Sequence, residues 1–264
     1  MRLSHRLASL AVALVALAVA LGACNGSGNE NTPTPPPDPH ALLTDAIDKL
    51  ASASSFVIEI SVSGLPVKIK VGDITLPEEI PVYFEYARGT FVAPDRLQAA
   101  IDIKVADAVA RTELVALGND QYMRSDLLTQ GNWVQEEVID GFSPADLLAP
   151  ETGIPSALAR VRNLELVGRT DLDGVPVHHL AGTIDAQDVY SLTFGLIGIR
   201  DGEVNLDIYL LTDGNWVEQI VMEEPLPAEA EEGAEPTRWQ INVLDYNQEI
   251  TITAPEFGDQ DGNE

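Results

Sequence analysis

The chain has 264 residues, 45% of them hydrophobic, and a net charge of −27 from 42 acidic against 15 basic side chains. A surface this acidic repels nucleic acid and anionic membrane faces. With one cysteine there is no disulfide framework, so stability has to come from a hydrophobic core, and a domain of about 215 residues is large enough for one.

The N-terminus places Arg2 and Arg6 before an apolar run from Leu7 to Leu21, which closes on Leu21-Gly22-Ala23-Cys24. A basic start, an apolar stretch and a small-residue site follow the order of a secretory signal peptide. At about 15 residues the run is shorter than the ~20 a spanning helix needs. The tetrapeptide resembles the lipobox of bacterial lipoproteins. That resemblance implies cleavage of residues 1–23, lipidation of the Cys24 sulfur, acylation of the new N-terminus, and a protein held on the outer, extracytoplasmic side of the cell membrane. Asn25-Gly26-Ser27-Gly28-Asn29 follows at once and cannot pack, which speaks against a buried structural thiol. Residues 24–39 read as a Gly/Ser/Pro-rich tether whose proline half is stiff and extended. Loss of residues 1–23, which hold two arginines and no acid, would make the chain more negative still.

One domain is expected over 40–255. It opens with a helix, because Ala41, Leu42, Ala46, Ile47 and Leu50 follow the 3.6-residue period behind a cap and first-turn pair, Asp38-Pro39. Period-two alternation then takes over. Phe56, Ile58, Ile60 and Val62 share one face; Val82, Phe84 and Tyr86 follow, then Leu97, Ala99, Ile101, Ile103 and Val105, and late in the chain Val204, Leu206, Ile208 and Leu210. Arg238–Tyr246 and Glu249–Ala254 read as the last strands. These are half-buried antiparallel strands joined by short turns. Two helical stretches interrupt them. Ser143 caps a short helix with Pro144 at its first position, leading through Leu147 and Leu148 to Ser156–Arg160. Asp185 caps a second, carrying Val189, Leu192, Leu196 and Ile197. From Tyr190 to Ile199 that stretch is apolar on nearly all sides, so it must be buried or face something apolar. Leu127–Val134 is nearly repeated as Leu210–Val217, which predicts a shared hairpin turn with Gly and Asn at positive φ. Residues 223–236 read as a long, disordered acidic loop between two strands, and 256–264 as an acidic tail.

Motifs for chemistry are missing. There is no G-x-S-x-G, H-E-x-x-H, P-loop or G-x-G-x-x-G, and no calcium loop. His178 and His179 are adjacent on an expected strand, so their rings point to opposite faces and cannot share a metal or a proton. One is expected in or near the core and one outside, with His40 solvated at a helix start. Asp171 and Asp173 read as a turn before Gly174. No cofactor, no metal and no enzymatic activity are expected.

The order of the pieces resembles the LppX/LprAFG family of bacterial envelope lipoproteins, which carry lipids and glycolipids. The resemblance runs through Ser54–Gly64, Gly89–Arg96, Trp133 into Phe142–Leu148, Val167-Gly168 through Asp173–Ile184, and Leu244–Asn247 to Ile252–Pro255. It implies an α+β fold: a single strongly curved antiparallel β-sheet, a half-barrel, with helices on the concave face enclosing an apolar cavity that takes the acyl chains of a lipid or glycolipid ligand. The expected lining is Leu147, Leu148, Ile154, Leu158, Val189, Leu192, Phe194, Leu196 and Ile197. The alternative is an anchored envelope scaffold or protein-interaction module with a filled interior and no lipid ligand.

Overall fold

The computed structural model describes residues 35–69, 81–106, 108–136, 143–192 and 202–257. Cys24, Phe194, Leu196, Ile197 and residues 258–264 of the expected tail lie outside them. The described residues from Pro37 onward form one compact unit. In it α1 (Pro39–Ala51) precedes six strands: β1 (Ser55–Ser63), β2 (Val82–Val92), β3 (Arg96–Val105), β4 (Ala108–Leu117), β5 (Asp120–Ser125) and β6 (Val134–Gln135). A 3-10 turn (Pro144–Leu148) and α2 (Ile154–Leu158) lead to β7 (Arg162–Leu172) and β8 (Val175–Asp185). Then come α3 (Ala186–Leu192), β9 (Glu203–Leu211), β10 (Val217–Glu223) and β11 (Arg238–Leu244).

All strands among the described residues belong to one 11-stranded antiparallel sheet, ordered β6-β5-β4-β3-β2-β1-β11-β10-β9-β8-β7. It does not close: among the described residues β6 and β7 are its edges. The chain enters at the middle, walks outward from β1 to β6, crosses to the opposite edge through the 3-10 turn and α2, and walks back from β7 to β11. There Val57 to Ser63 pair with Leu244 to Arg238, joining two meanders into one sheet.

One face carries the core. Phe56, Ile58 and Ile60 of β1, Leu114 of β4, Leu180 and Ile184 of β8, Leu206, Ile208 and Leu210 of β9, and Trp239, Ile241 and Val243 of β11 are buried in a single cluster with all three helices. The other face is largely polar. There Glu59–Arg88, Asp102–Arg111 and Glu113–Arg124 are ion pairs between directly opposed residues. Exposed pairs of this kind add little stability, but they disfavour a one-residue slip, which would turn each pair toward the core.

The structure corrects several expectations. Tyr86 does not continue the face of Val82 and Phe84. The β2–β3 register shifts between Phe84, opposite Ile103, and Tyr86, opposite Asp102. The extra residue is a β-bulge that turns Tyr86 outward and brings Ala87, Gly89 and Phe91 inward. Glu249–Ala254 is not a strand; it runs as an irregular segment whose Ile252 is buried against Val115 and Tyr122 on the outer face, with its carbonyl accepting from Arg96 (2.9 Å). The repeated octapeptides do make hairpins, β5–β6 and β9–β10. Only the glycine is shared at positive φ, Gly131 and Gly214; its partner is Gln130 in the first and Asn215 in the second. The acidic connection between β10 and β11 contains two turns, closed by Ala230 N to Pro227 O and Ala234 N to Glu231 O.

Trp239 is fully buried, stacked on Phe84 with centroids 5.5 Å apart, and its indole N–H donates to Glu224 Oε1 at 2.6 Å. Trp239→Ala is expected to cost about 3–5 kcal/mol, as is usual for a fully buried aromatic. Urea denaturation of the full chain measures it as a lower midpoint.

Candidate functional site

The inner face of the sheet and the three helices over it are the place where apolar side chains converge. α1 forms because Asp38 accepts from the His40 N–H (3.0 Å) and Pro39 suits the first turn. It buries Leu42, Leu43, Ala46 and Leu50, and it touches β7 and β10. His40 is exposed. The 3-10 turn is closed by a capping box between Ser143 and Asp146, with Ser143 N donating to Asp146 Oδ2 at 2.9 Å. α2 is preceded by Gly153, where a Cβ would meet Ala149 N at 2.6 Å and Leu147 O at 2.7 Å. Only glycine lets the turn and the helix approach so closely. α2 touches α1, α3 and the 3-10 turn; α3 touches β8 and β9; the turn touches β3.

The expected lining residues within the described part come together. Leu147, Ile154, Leu158, Val189 and Leu192 are buried in the cluster that holds the inner face, and Leu148 is half-buried against it. The polar neighbours are bound to one another. Asp185 precedes α3, and its carboxylate accepts from Arg162 at 2.5 Å; Asp188 pairs with Arg160 at 2.9 Å. Asp171 accepts from Gly174 N at 2.5 Å, forming the turn read from the sequence. Near the C-terminal end of α1, Lys49 donates to Asp45 (2.6 Å) and to the Gly214 carbonyl (2.5 Å), and Asn215 also reaches Asp45 (2.8 Å). Tyr246 donates to Val217 O at 2.7 Å while packing on Trp216, and burial pushes its phenol far above its ordinary pKa.

The two adjacent histidines part as the strand period requires. His179 Nε2 lies 2.7 Å from Asp207 Oδ1, with its ring stacked on Tyr209 at 4.6 Å. His178 faces inward, opposite Leu210 of β9 and Arg169 of β7. It is 4% exposed, and its Nδ1 lacks a hydrogen-bond partner. Burial, helped by Arg169, holds its pKa below the ordinary value. An unsatisfied buried polar atom of this kind costs about 1–3 kcal/mol. Arg169 had no signal in the sequence; it is placed by a register shift between Leu166 and Gly168 that leaves Val167 as the extra residue.

Among the described residues no cluster of three or more potential metal ligands exists, and no helix is long and apolar enough to cross a membrane. The fold and interior define an α+β protein: one open antiparallel sheet covered on one face by short helices, with an apolar layer between. The chain belongs to the LppX_LprAFG lipoprotein family, whose pattern matches residues 38–252. Its fold is similar to that of LprF from Mycobacterium bovis, with a TM-score of 0.61 at 19% identity over 85% of this chain and 100% of that one. It is also similar to lipoprotein LppX from Mycobacterium tuberculosis, with a TM-score of 0.52 at 17% identity over 82% of this chain and 100% of that one. No curated protein matches the chain.

Below the ordinary histidine value of 6.5 the unfolded chain takes up a proton at residue 178 that the folded chain disfavours. Stability therefore falls as the pH drops through that value, and is regained above it. His178→Leu is expected to remove this part of the slope. Denaturant unfolding at pH 5.5 and 7.5 should show a larger acid-side loss for the wild type than for the variant.

Proposed function

We propose that the chain is a lipoprotein anchored through Cys24 to the extracytoplasmic side of the cell membrane. Its domain takes acyl chains of lipids or glycolipids into an apolar cavity between the sheet and its helices and moves them through the envelope. The observation that carries this reading is the apolar inner face, continuous across both meanders and facing a helical layer that is itself apolar. Family membership supports the anchor and the envelope setting.

The layout of the cover supports a strongly curved sheet. Laid flat, eleven strands about 4.8 Å apart would separate β6 from β7 by about 48 Å. Yet a five-residue turn and a five-residue helix link β3, on one side of the sheet centre, to α1 and α3, which lie against strands on the other. A curved sheet brings those strands within reach of so short a cover. In this reading Leu147, Leu148, Ile154, Leu158, Val189 and Leu192, with Phe194, Leu196 and Ile197 from the stretch beyond α3, contact the acyl chain. Each methylene withdrawn from water contributes about 0.8 kcal/mol, so one long chain supplies ample affinity without a polar motif.

One acyl chain on Cys24 would hold the protein only marginally, whereas two or more hold it firmly. Cys24→Ala is expected to move the protein from the membrane fraction to the soluble fraction while its circular dichroism spectrum stays unchanged; retention in the membrane would refute the anchor. For the cavity, the wild-type chain extracted under mild conditions is expected to carry lipid in native mass spectrometry and to take up a fluorescent fatty acid. Absence of both would overturn the carrier reading.

A further inference from the structure

Along β8 the inner face is apolar at Leu180 and Ile184, and it turns polar at His178. A leucine would fill that place with no polar atom to satisfy; the imidazole instead leaves Nδ1 buried and unpaired. Beside it on β7, the edge strand, stands Arg169. Arg88, Arg111, Arg124, Arg160 and Arg162 are all paired with carboxylates, in a chain with 42 acidic residues. Arg169 has no hydrogen bond or ion pair among the described residues; its interaction is electrostatic, with His178. The next inward pair on the same face is Leu166 with Leu180, and both pack in the apolar cluster. So an unpaired donor set at the sheet edge leads straight into the apolar interior.

We infer that this corner binds the anionic head of the ligand, with a carboxylate or phosphodiester oxygen accepting from His178 Nδ1–H and the Arg169 guanidinium while the acyl chain runs inward over Leu166 and Leu180. The inference rests on the carrier reading and adds a head-group class to it. The neutral imidazole keeps one ring N–H, and a guanidinium offers a planar fork that matches both oxyanions. Occupied in this way, the buried nitrogen gains the partner it lacks.

The test compares ligands that differ only in charge, on the delipidated full chain. Dodecanoate is paired with dodecanol, and phosphatidylglycerol with diacylglycerol of the same chains, each by displacement of a fluorescent lipid. The wild type is expected to prefer the charged member of at least one pair by about tenfold or more, as for a hydrogen bond to a charged group. Which pair shows the preference separates a carboxylate head from a phosphodiester. Acetate and inorganic phosphate, which lack the chain, should not displace the probe. Arg169→Gln and His178→Leu should each shrink the charged-to-uncharged ratio toward one. Equal affinity within both pairs, displacement by the chainless anions, or a ratio that survives in both variants would overturn the head-group assignment while leaving the carrier reading intact. Binding of none of the four lipids would instead remove the carrier reading and this inference together.

Discussion

The pairing of β1 with β11 is the contact on which everything else depends. It joins the first strand of the domain to the last, Val57 through Ser63 against Leu244 through Arg238, at the centre of the sheet. Without it there would be two separate meanders, each with an apolar face too narrow to hold the helices. With it, Phe84 from one side stacks on Trp239 from the other. The seam is fastened at one end, where the Asn247 side chain accepts from the backbone and hydroxyl of Ser54 at 2.8 and 3.0 Å. Asn247 N then donates to Ser55 O, and Ser55 Oγ to Gln248 O.

The two faces of the sheet divide the work. Outside, opposed charges on neighbouring strands discourage slippage. Inside, aliphatic and aromatic residues supply the burial that the fold needs in the absence of disulfides. The helices are short, and α2 and α3 could not persist alone; they are held by what they bury. That makes the helical layer the part of the fold whose order depends most on packing, since little of it comes from its own backbone.

Much of this was legible from the residues. β1, β3 and β9 alternate cleanly, and α1 has both its cap and its stripe. Two strands escaped for physical reasons. β4, with Ala108, Ala110, Arg111, Glu113, Leu114 and Ala116, is composed largely of good helix formers, and its neighbours on both sides override that preference. β7 is broken by positive φ at Asn163 and Gly168 and by two register shifts, so its alternation never runs long enough to be read. The expected last strand, Glu249–Ala254, was the converse: its alternation reflects burial of Ile252 against the outer face, not membership of the sheet. The apolar helices announced an interior, but the corner formed by His178 and Arg169 could not be seen before the strand register was known.

The central seam also fixes an order of events. A chain that emerges N-terminus first makes β1 early and β11 last, so the middle of the sheet stays unfinished until residue 244 is available. Contacts between strands so far apart in the chain form slowly. During that interval one edge of β1 has no strand beside it, while its other edge can already pair with β2. The domain therefore becomes a single folded body only after nearly all of its chain is available.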